Sequence, residues 1–415
     1  MSTLISFLGR GNVDKTSHGY RQATYVFADG RQYPNARFIG GILSEYIKAD
    51  TLIFLGTSGS MWSSLIEYYA RNNEYEDLRL QLFQHEELKN VPQEMLDSVA
   101  SILESSLSLQ LGKPVRVFLK LISAAADQNT QIGILESISG YMKETKTSQA
   151  LHIDITHGFR HMSVTGFLSA SLLERLSPDL TIQGIWYGAM DMTTDGLTPV
   201  INLNGLQQVQ RWIKAMDQFE ASGNYAVFAD LLMEDNLPKE NADQLRNAAF
   251  FESINNISAA AAQLRYFFKG LNAINSGASM LFRDRLSQHL SWAKELNIYK
   301  MQKTLALLAL HRKDYMRAVL LGHESLISKL TLKNQKDPLN YSDREASVQE
   351  FERELQNDTG PTWLKSSFHF LRSMRNSLAH TTPSSHKEVN ACMKDKKRLD
   401  EKLRKLLKDI EHAGH

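Results

Sequence analysis

The chain has 415 residues, 42% of them apolar and 22% charged, with a formal charge of +1 and a single cysteine. That length asks for more than one core and that balance for a folded protein, which excludes intrinsic disorder. A lone Cys392 excludes an intrachain disulfide framework and a cysteine-rich zinc site. Near-neutral charge means that any nucleic acid must be met by a local patch rather than by the whole field. The first apolar stretch, Leu4 to Leu8, is too short for a signal-peptide core and no run approaches a membrane span. A cytoplasmic protein with no membrane partner is therefore expected.

In chain order, LISFLG reads as a strand and TYVFADGRQY as a hairpin turning on Asp-Gly. ARFIGGILSEYIKA is helical, TLIFLG a strand, and SMWSSLIEYYARN and QEMLDSVASILESSLSLQL are helices. VRVFLKLI and ALHIDIT are strands, FRHMSVTGFLSASLLERL a helix, and TIQGIWYG a strand. Alternation of this kind is the mark of a mostly parallel sheet covered by helices, so residues 1–204 are expected to form a Rossmann-like α/β domain. From Gly205 onward strand alternation disappears. LQQVQRWIKAMDQFEASG, ADQLRNAAFFESINNISAAAAQLRYFFKGL, YKMQKTLALLALHR and YMRAVLLGHESLISKL are each read as helical, and a loop is expected around Asp337 to Asp343. The second half is thus all-α, divided into a helical linker or extension over 205–300 and a helical domain over 301–415. The last helix, about Lys387 to His412, carries nine Lys or Arg against six Asp or Glu and is read as a solvated face.

In an open parallel sheet ligands bind outside the carboxyl ends of the strands. Three such loops stand out. GRGNVDKT, with Gly9, Arg10 and Gly11, offers close backbone approach and two cations in Arg10 and Lys15. GTSGSMW, comprising Gly56, Thr57, Ser58, Gly59, Ser60, Met61 and Trp62, is rich in donors and runs into a helix amino terminus, with Trp62 available to stack on a base. ITHGFRHM brings Thr156, His157, Gly158, Phe159, Arg160 and His161 to a further strand-to-helix junction. Each alone is an ordinary tight turn. Together, at one edge of one sheet, they suggest a phosphate-bearing ligand. The third glycine of G-x-G-x-x-G and the Gly-Lys-Ser/Thr of a P-loop are both missing, which disfavours a dehydrogenase or an ATPase.

RNSLAH places Arg375 and His380 five residues apart, about 140° around a continuous helix, so one chain does not converge them neatly. Either the last turn frays before Pro383, or the motif lies on a two-fold axis where both copies share one cleft. As an isolated match it is better read as a capped surface helix. As chemistry, an Arg and a His suffice to cleave RNA through its own 2′-hydroxyl without a metal. Cys392 has no evident partner and is read as structural.

SFLGRG, FLGTSGSMW, DITHGFRHM and IWYGAMD, in that order and followed by RNSLAH, resemble the CRISPR-associated Csx proteins that join a CARF sensor domain to a HEPN ribonuclease domain. The resemblance implies a type III CRISPR effector, a homodimer or higher even oligomer, that binds cyclic oligoadenylate and then cuts single-stranded RNA, with no cofactor and no metal. It makes Arg375 and His380 catalytic, Asn376 an orienting residue, and the loops Gly9–Gly11, Gly56–Trp62 and Thr156–His161 the ligand seat. Two-fold symmetry favours an even ring, so cyclic tetraadenylate is the expected activator and a six-membered ring the alternative. GRGNVDK departs from the Thr- and Tyr-rich first loop of the family, and residues 205–300 match nothing in it. A ring nuclease using Thr156, His157 or Arg160, and a non-catalytic nucleotide-responsive module, are the other readings.

Overall fold

Runs of Leu, Ile, Val and Phe that are buried on both faces become central parallel strands, and amphipathic stretches become the helices that cover them. The computed structural model describes residues 2–10, 22–70, 73–144, 150–357, 362–380 and 382–410. The chain divides into two units, Met1–Gln207 and Gln208–His415. The first contains β1 (Ser2–Leu8), β2 (Ala23–Val26), β3 (Gln32–Ala36), α1 (Ile39–Tyr46), β4 (Thr51–Gly56), α2 (Ser63–Tyr69), α3 (Glu76–Glu87), α4 (Gln93–Leu111), β5 (Arg116–Leu121), α5 (Gln128–Glu144), β6 (Ala150–Asp154), α6 (Arg160–Leu176), β7 (Thr181–Gly188) and β8 (Leu197–Asn202). Gly11 and Lys15 lie outside the described residues.

The sheet order is β3-β2-β8-β7-β6-β1-β4-β5. The five strands from β7 to β5 are parallel, β8 returns antiparallel to β7, and the β2–β3 hairpin extends that edge. Its turn is the expected Asp-Gly, with Gly30 at φ 85° donating to Phe27 O at 2.9 Å. β8 is a strand absent from the sequence expectations; its Pro199 has no N–H for a ladder, and its carbonyl accepts from Ala189 N at 2.9 Å.

The apolar spacing of α4 puts Leu96, Val99, Leu103 and Leu107 on one buried stripe, and Gly112 at φ 63° ends the helix with Lys113 N donating to Ser108 O. α4 also closes the open side of the edge strand β5. Glu104 Oε2 accepts from Val117 N at 3.0 Å, Gln93 Oε1 from Leu121 N at 3.1 Å, and Gln93 Nε2 donates to Leu119 O at 2.6 Å. One sheet face is covered by α1, α2 and α4, the other by α5 and α6. Coverage changes side between β1 and β6, so the topological switch point lies between these two central strands.

The second unit contains α7 (Asn204–Ser222), α8 (Ala229–Glu234), α9 (Lys239–Ser253), α10 (Ile257–Leu271), α11 (Arg283–His289), α12 (Ile298–His311), α13 (Tyr315–Lys333), α14 (Tyr341–Gln356), α15 (Thr362–His380), α16 (Lys387–Cys392) and α17 (Lys396–Asp409). One apolar core runs through it, from Trp212 to Ile410. Two expected helices are each broken in two. The long Ala-rich helix turns back at Asn255, φ 60°, and Asn256 caps α10 through Ala259 N, because Asn tolerates the left-handed region and caps well. The last helix breaks after Cys392, where Asp395 caps α17 through Lys397 N and Arg398 N.

Candidate functional site

The carboxyl ends of β1, β4, β5 and β6 meet around a cavity of about 410 Å³ lined by Gly9, Arg10, Thr57, Ser58, Gly59, Ser60, Lys89, Ser123, Ala124, Gly158 and Phe159, over a floor of Phe7, Leu8, Ile122 and Met162. Its seam is a backbone contact across the switch point. A Cβ on Gly9 would lie 2.5 Å from Gly158 N and 2.6 Å from its Cα, and Gly158 sits at φ +102°. Glycine at 9 lets the loops after β1 and β6 touch, and glycine at 158 accommodates the positive φ there.

The second loop is tied to the first by its own side chains. Ser60 Oγ donates to Leu8 O at 2.8 Å and accepts from Thr57 N at 3.0 Å, while Met61 N donates to Gly9 O at 3.2 Å. Trp62 is not a stacking platform. It is fully buried, its Nε1 donates to Thr57 O at 2.9 Å, and a Cβ on Gly56 would strike its ring at 2.7 Å. An indole that must satisfy one donor inside a core serves as the peg of the loop. Met61 faces a neighbouring cavity between α2 and α3.

The third loop also divides. Gly158 and the half-exposed Phe159 line the cavity; Arg160 is exposed beside it. Thr156 is committed to the fold, its Oγ1 accepting from Gly188 N at 2.8 Å. His157 lies edge-on to Phe38 at 6.1 Å, and burial lowers its pKa to about 4. His161 stacks on Phe159 and its Nε2 lies 2.9 Å from Ala124 O. Thr156 and His157 are therefore poorly available for positioning a ribose hydroxyl.

Sequence reasoning passed over Lys89, which follows α3 and stands at φ 54°, and Ser123 and Ala124 after β5. The strand-end rule that found the other loops applies equally to VRVFLKLI. It also passed over two buried carboxyls behind the rim. Glu86 caps α2, accepting from Ser63 N and, at 2.9 Å, from Ser63 Oγ; burial pushes its pKa up to about 7 against those bonds. Asp154, at the end of β6, accepts from Ser6 Oγ at 2.6 Å and Thr156 N at 2.9 Å. Its burial outweighs both bonds and raises its pKa to about 6.

A raised carboxyl holds its proton in the native state after the unfolded chain has released it. Asp154 therefore lowers stability as pH climbs from about 4 to about 6. His152 and His157, both lowered to about 4 by burial, act with the opposite sign. Asp154→Asn isolates the first effect, since its amide can donate to Ser6 while its oxygen keeps Thr156 N. The variant is expected to match wild type near pH 4 and to exceed it by roughly 2 kcal/mol at pH 7.5 in urea melts. Equal stability of the two at pH 7.5 would contradict this assignment.

In the second unit α15 is helical to His380, so Arg375 and His380 stand on one unfrayed helix, rotated about 140° apart. The structure brings Arg375 to Asn376, Nη2 and Nε donating to Oδ1 at 3.1 and 3.3 Å. Asn376 and His380 are exposed and Arg375 half-buried. Behind them lies Glu324 of α13, unnoticed in the sequence. Burial would raise its pKa, but His323 at 3.6 Å, the Arg344 guanidinium and the nearby Arg375 hold its carboxyl below the usual range. Arg344 also donates to Ser328 Oγ and Pro338 O, at 3.0 and 3.1 Å, joining α14 to α13 beneath the motif.

The glycine loops meet over a cavity at the switch point of a parallel sheet, and residues 3–188 match the family model described as CRISPR system endoribonuclease Csx1, CARF domain. That match takes in nearly all of the first unit, Met1–Gln207. The CRISPR-associated protein MJ1674 of Methanocaldococcus jannaschii is 28% identical over 275 residues, 61% of this chain. The matched region spans 42% of that relative's length. Enterococcus italicus Csm6 bound to cyclic hexa-2'-fluoro-hexa-dAMP aligns with 99% of this chain and 93% of its own, at 12% identity and a TM-score of 0.41. Among the described residues no helix is long and apolar enough to cross a membrane.

Proposed function

We propose that this chain is a metal-independent endoribonuclease of type III CRISPR defence, switched on by cyclic oligoadenylate and cutting single-stranded RNA. The observation that carries the reading is the seam of Gly9 against Gly158 over a cavity flanked by Arg10 and Lys89, within a region that matches the Csx1 CARF family. Glycine loops that allow close backbone approach, beside Lys89 and an Arg10 paired with Glu87, suit a cyclic phosphodiester. The ribonuclease half rests on RNSLAH. The 2′-hydroxyl of the RNA attacks the adjoining phosphate, His380 moves the proton, Arg375 stabilises the added negative charge, and the 5′-oxygen leaves. Because the two side chains diverge on one helix, a second copy would complete the cleft, which supports a homodimer or higher even oligomer.

The test uses protein freed of co-purified nucleotide and labelled single-stranded RNA, with cyclic tetraadenylate, cyclic hexaadenylate or neither. Cleavage is expected with the four-membered ring, giving 2′,3′-cyclic phosphate and 5′-hydroxyl ends that persist in EDTA. Equal cleavage without any ring would remove the sensor role, and no cleavage with any ring would remove the nuclease.

A further inference from the structure

α17 is held to the second unit by Leu399, Leu403, Leu406, Leu407 and Ile410, all buried, so its opposite face stands in solvent. Between Lys394 and Lys408 eight cationic side chains accompany three carboxylates, a surplus of five within a chain whose entire net charge is +1. Arg404 is paired with Asp400 and Lys402 with Glu388, while Asp395 caps the helix through Lys397 N and Arg398 N. Lys394, Lys396, Lys397, Lys405 and Lys408 are exposed and make no ion pair among the described residues. Like charges crowded in this way repel one another, a cost that a polyanion would remove.

The position of the helix adds a second, independent observation. Lys402 Nζ lies 5.4 Å from the ring of Phe370 on α15, and Leu407 and Leu371 flank Gly322, whose Cβ would lie 2.7 and 3.8 Å from them. Leu371 precedes Arg375 by one helical turn. The charged face thus belongs to a helix that packs on α12 and α13 and reaches α15, the helix that carries the motif, through Lys402.

We propose that the solvent face of α17 is a docking surface for the phosphate backbone of single-stranded RNA, leading substrate to Arg375 and His380; the role as a substrate lead rests on the ribonuclease reading. An anionic membrane fits less well. A helix that lies on a bilayer must insert its apolar face, and that face of α17 is already buried in the protein core. Lysines read the backbone without reading bases, so the surface contributes affinity and little sequence preference.

The test places Lys396→Gln, Lys397→Gln and Lys405→Gln together in a His380→Ala background, so that RNA is bound but not cut. Binding of an unstructured fluorescein-labelled 20-nucleotide RNA is followed by anisotropy across a KCl series. Loss of three phosphate contacts should flatten the log–log salt slope by about 2 and weaken binding roughly tenfold near 0.1 M salt. An unchanged slope and affinity, with an unchanged melting temperature, overturns the proposal. So does a loss of binding to phosphatidylglycerol vesicles with RNA binding intact. RNA that binds through α17 while wild-type protein cuts nothing would instead remove the nuclease reading and leave the surface standing.

Discussion

His380→Ala or Arg375→Ala is expected to lower RNA cleavage by about a hundredfold or more, because each removes a contribution made only in the transition state. Proton transfer is lost with the first and charge stabilisation with the second. Both residues are in the unit that lacks the ligand loops, and both are at least partly exposed, so folding and ring binding should hold. Asn376→Ala should fall between these variants and wild type, since its Oδ1 accepts from Arg375 at 3.1 Å and so aims the guanidinium. Initial rates on labelled RNA, alongside calorimetric titration with cyclic tetraadenylate, separate the two effects. Variants that cut normally would return RNSLAH to an ordinary capped helix end.

A comparably large effect is expected from Gly9→Val, on the other unit and in the other measurement. Its Cβ would sit 2.5 Å from Gly158 N, and what it meets is backbone, with no flexible side chain to yield. The loops after β1 and β6 must part, and the cavity lining they share opens with them. Ring affinity should fall about a hundredfold or more, consistent with losing several charge-assisted hydrogen bonds at roughly 1.5 kcal/mol or more each. Gly158→Ala is the milder companion. The added methyl finds Phe7 and Met162 at 3.6 and 3.7 Å, ordinary contact distances, so its penalty is the φ of +102° alone, on the order of 1–3 kcal/mol. Once enough ring is supplied, both variants should cut at the same positions as wild type. Gly133→Ala, in open space on α5, is the control and should leave ring affinity unchanged. A Gly9→Val protein that binds the ring like wild type would show that the seam is not the seat.

The parallel strands and the loops after three of them were legible because period and burial coincide. Buried β4 reads as a nearly unbroken apolar run, β1 and β6 are short and mostly apolar, and a glycine follows each within a few residues. What hid was set by partners distant in sequence. Nothing near Trp62 announces that its indole will be swallowed by the core, and nothing near Thr156 that its hydroxyl belongs to Gly188. Lys89 and Glu86 lie at the end of a helix whose mixed pattern gave no reason to select them. The breaks at Asn256 and Asp395 could have been found, since each is a good cap interrupting an otherwise continuous helical pattern. Glu324 and Arg344 carry no local signal. They acquire meaning only when α13, α14 and α15 lie together.

The two margins of the sheet bear on how copies of this protein can meet. At one margin, β3 contains Pro34, which has no N–H to offer, and Asn35 at φ 55°, which breaks the extended run. At the other, Gln93 and Glu104 occupy the hydrogen-bonding groups of β5 that a ninth strand would need. Both margins therefore discourage edge-to-edge annealing. Association of two copies is left to helical faces and loops, whose side chains can part and re-pair without tearing a continuous ladder. Such a joint can change its angle while each sheet remains intact, which fits the proposed dimer.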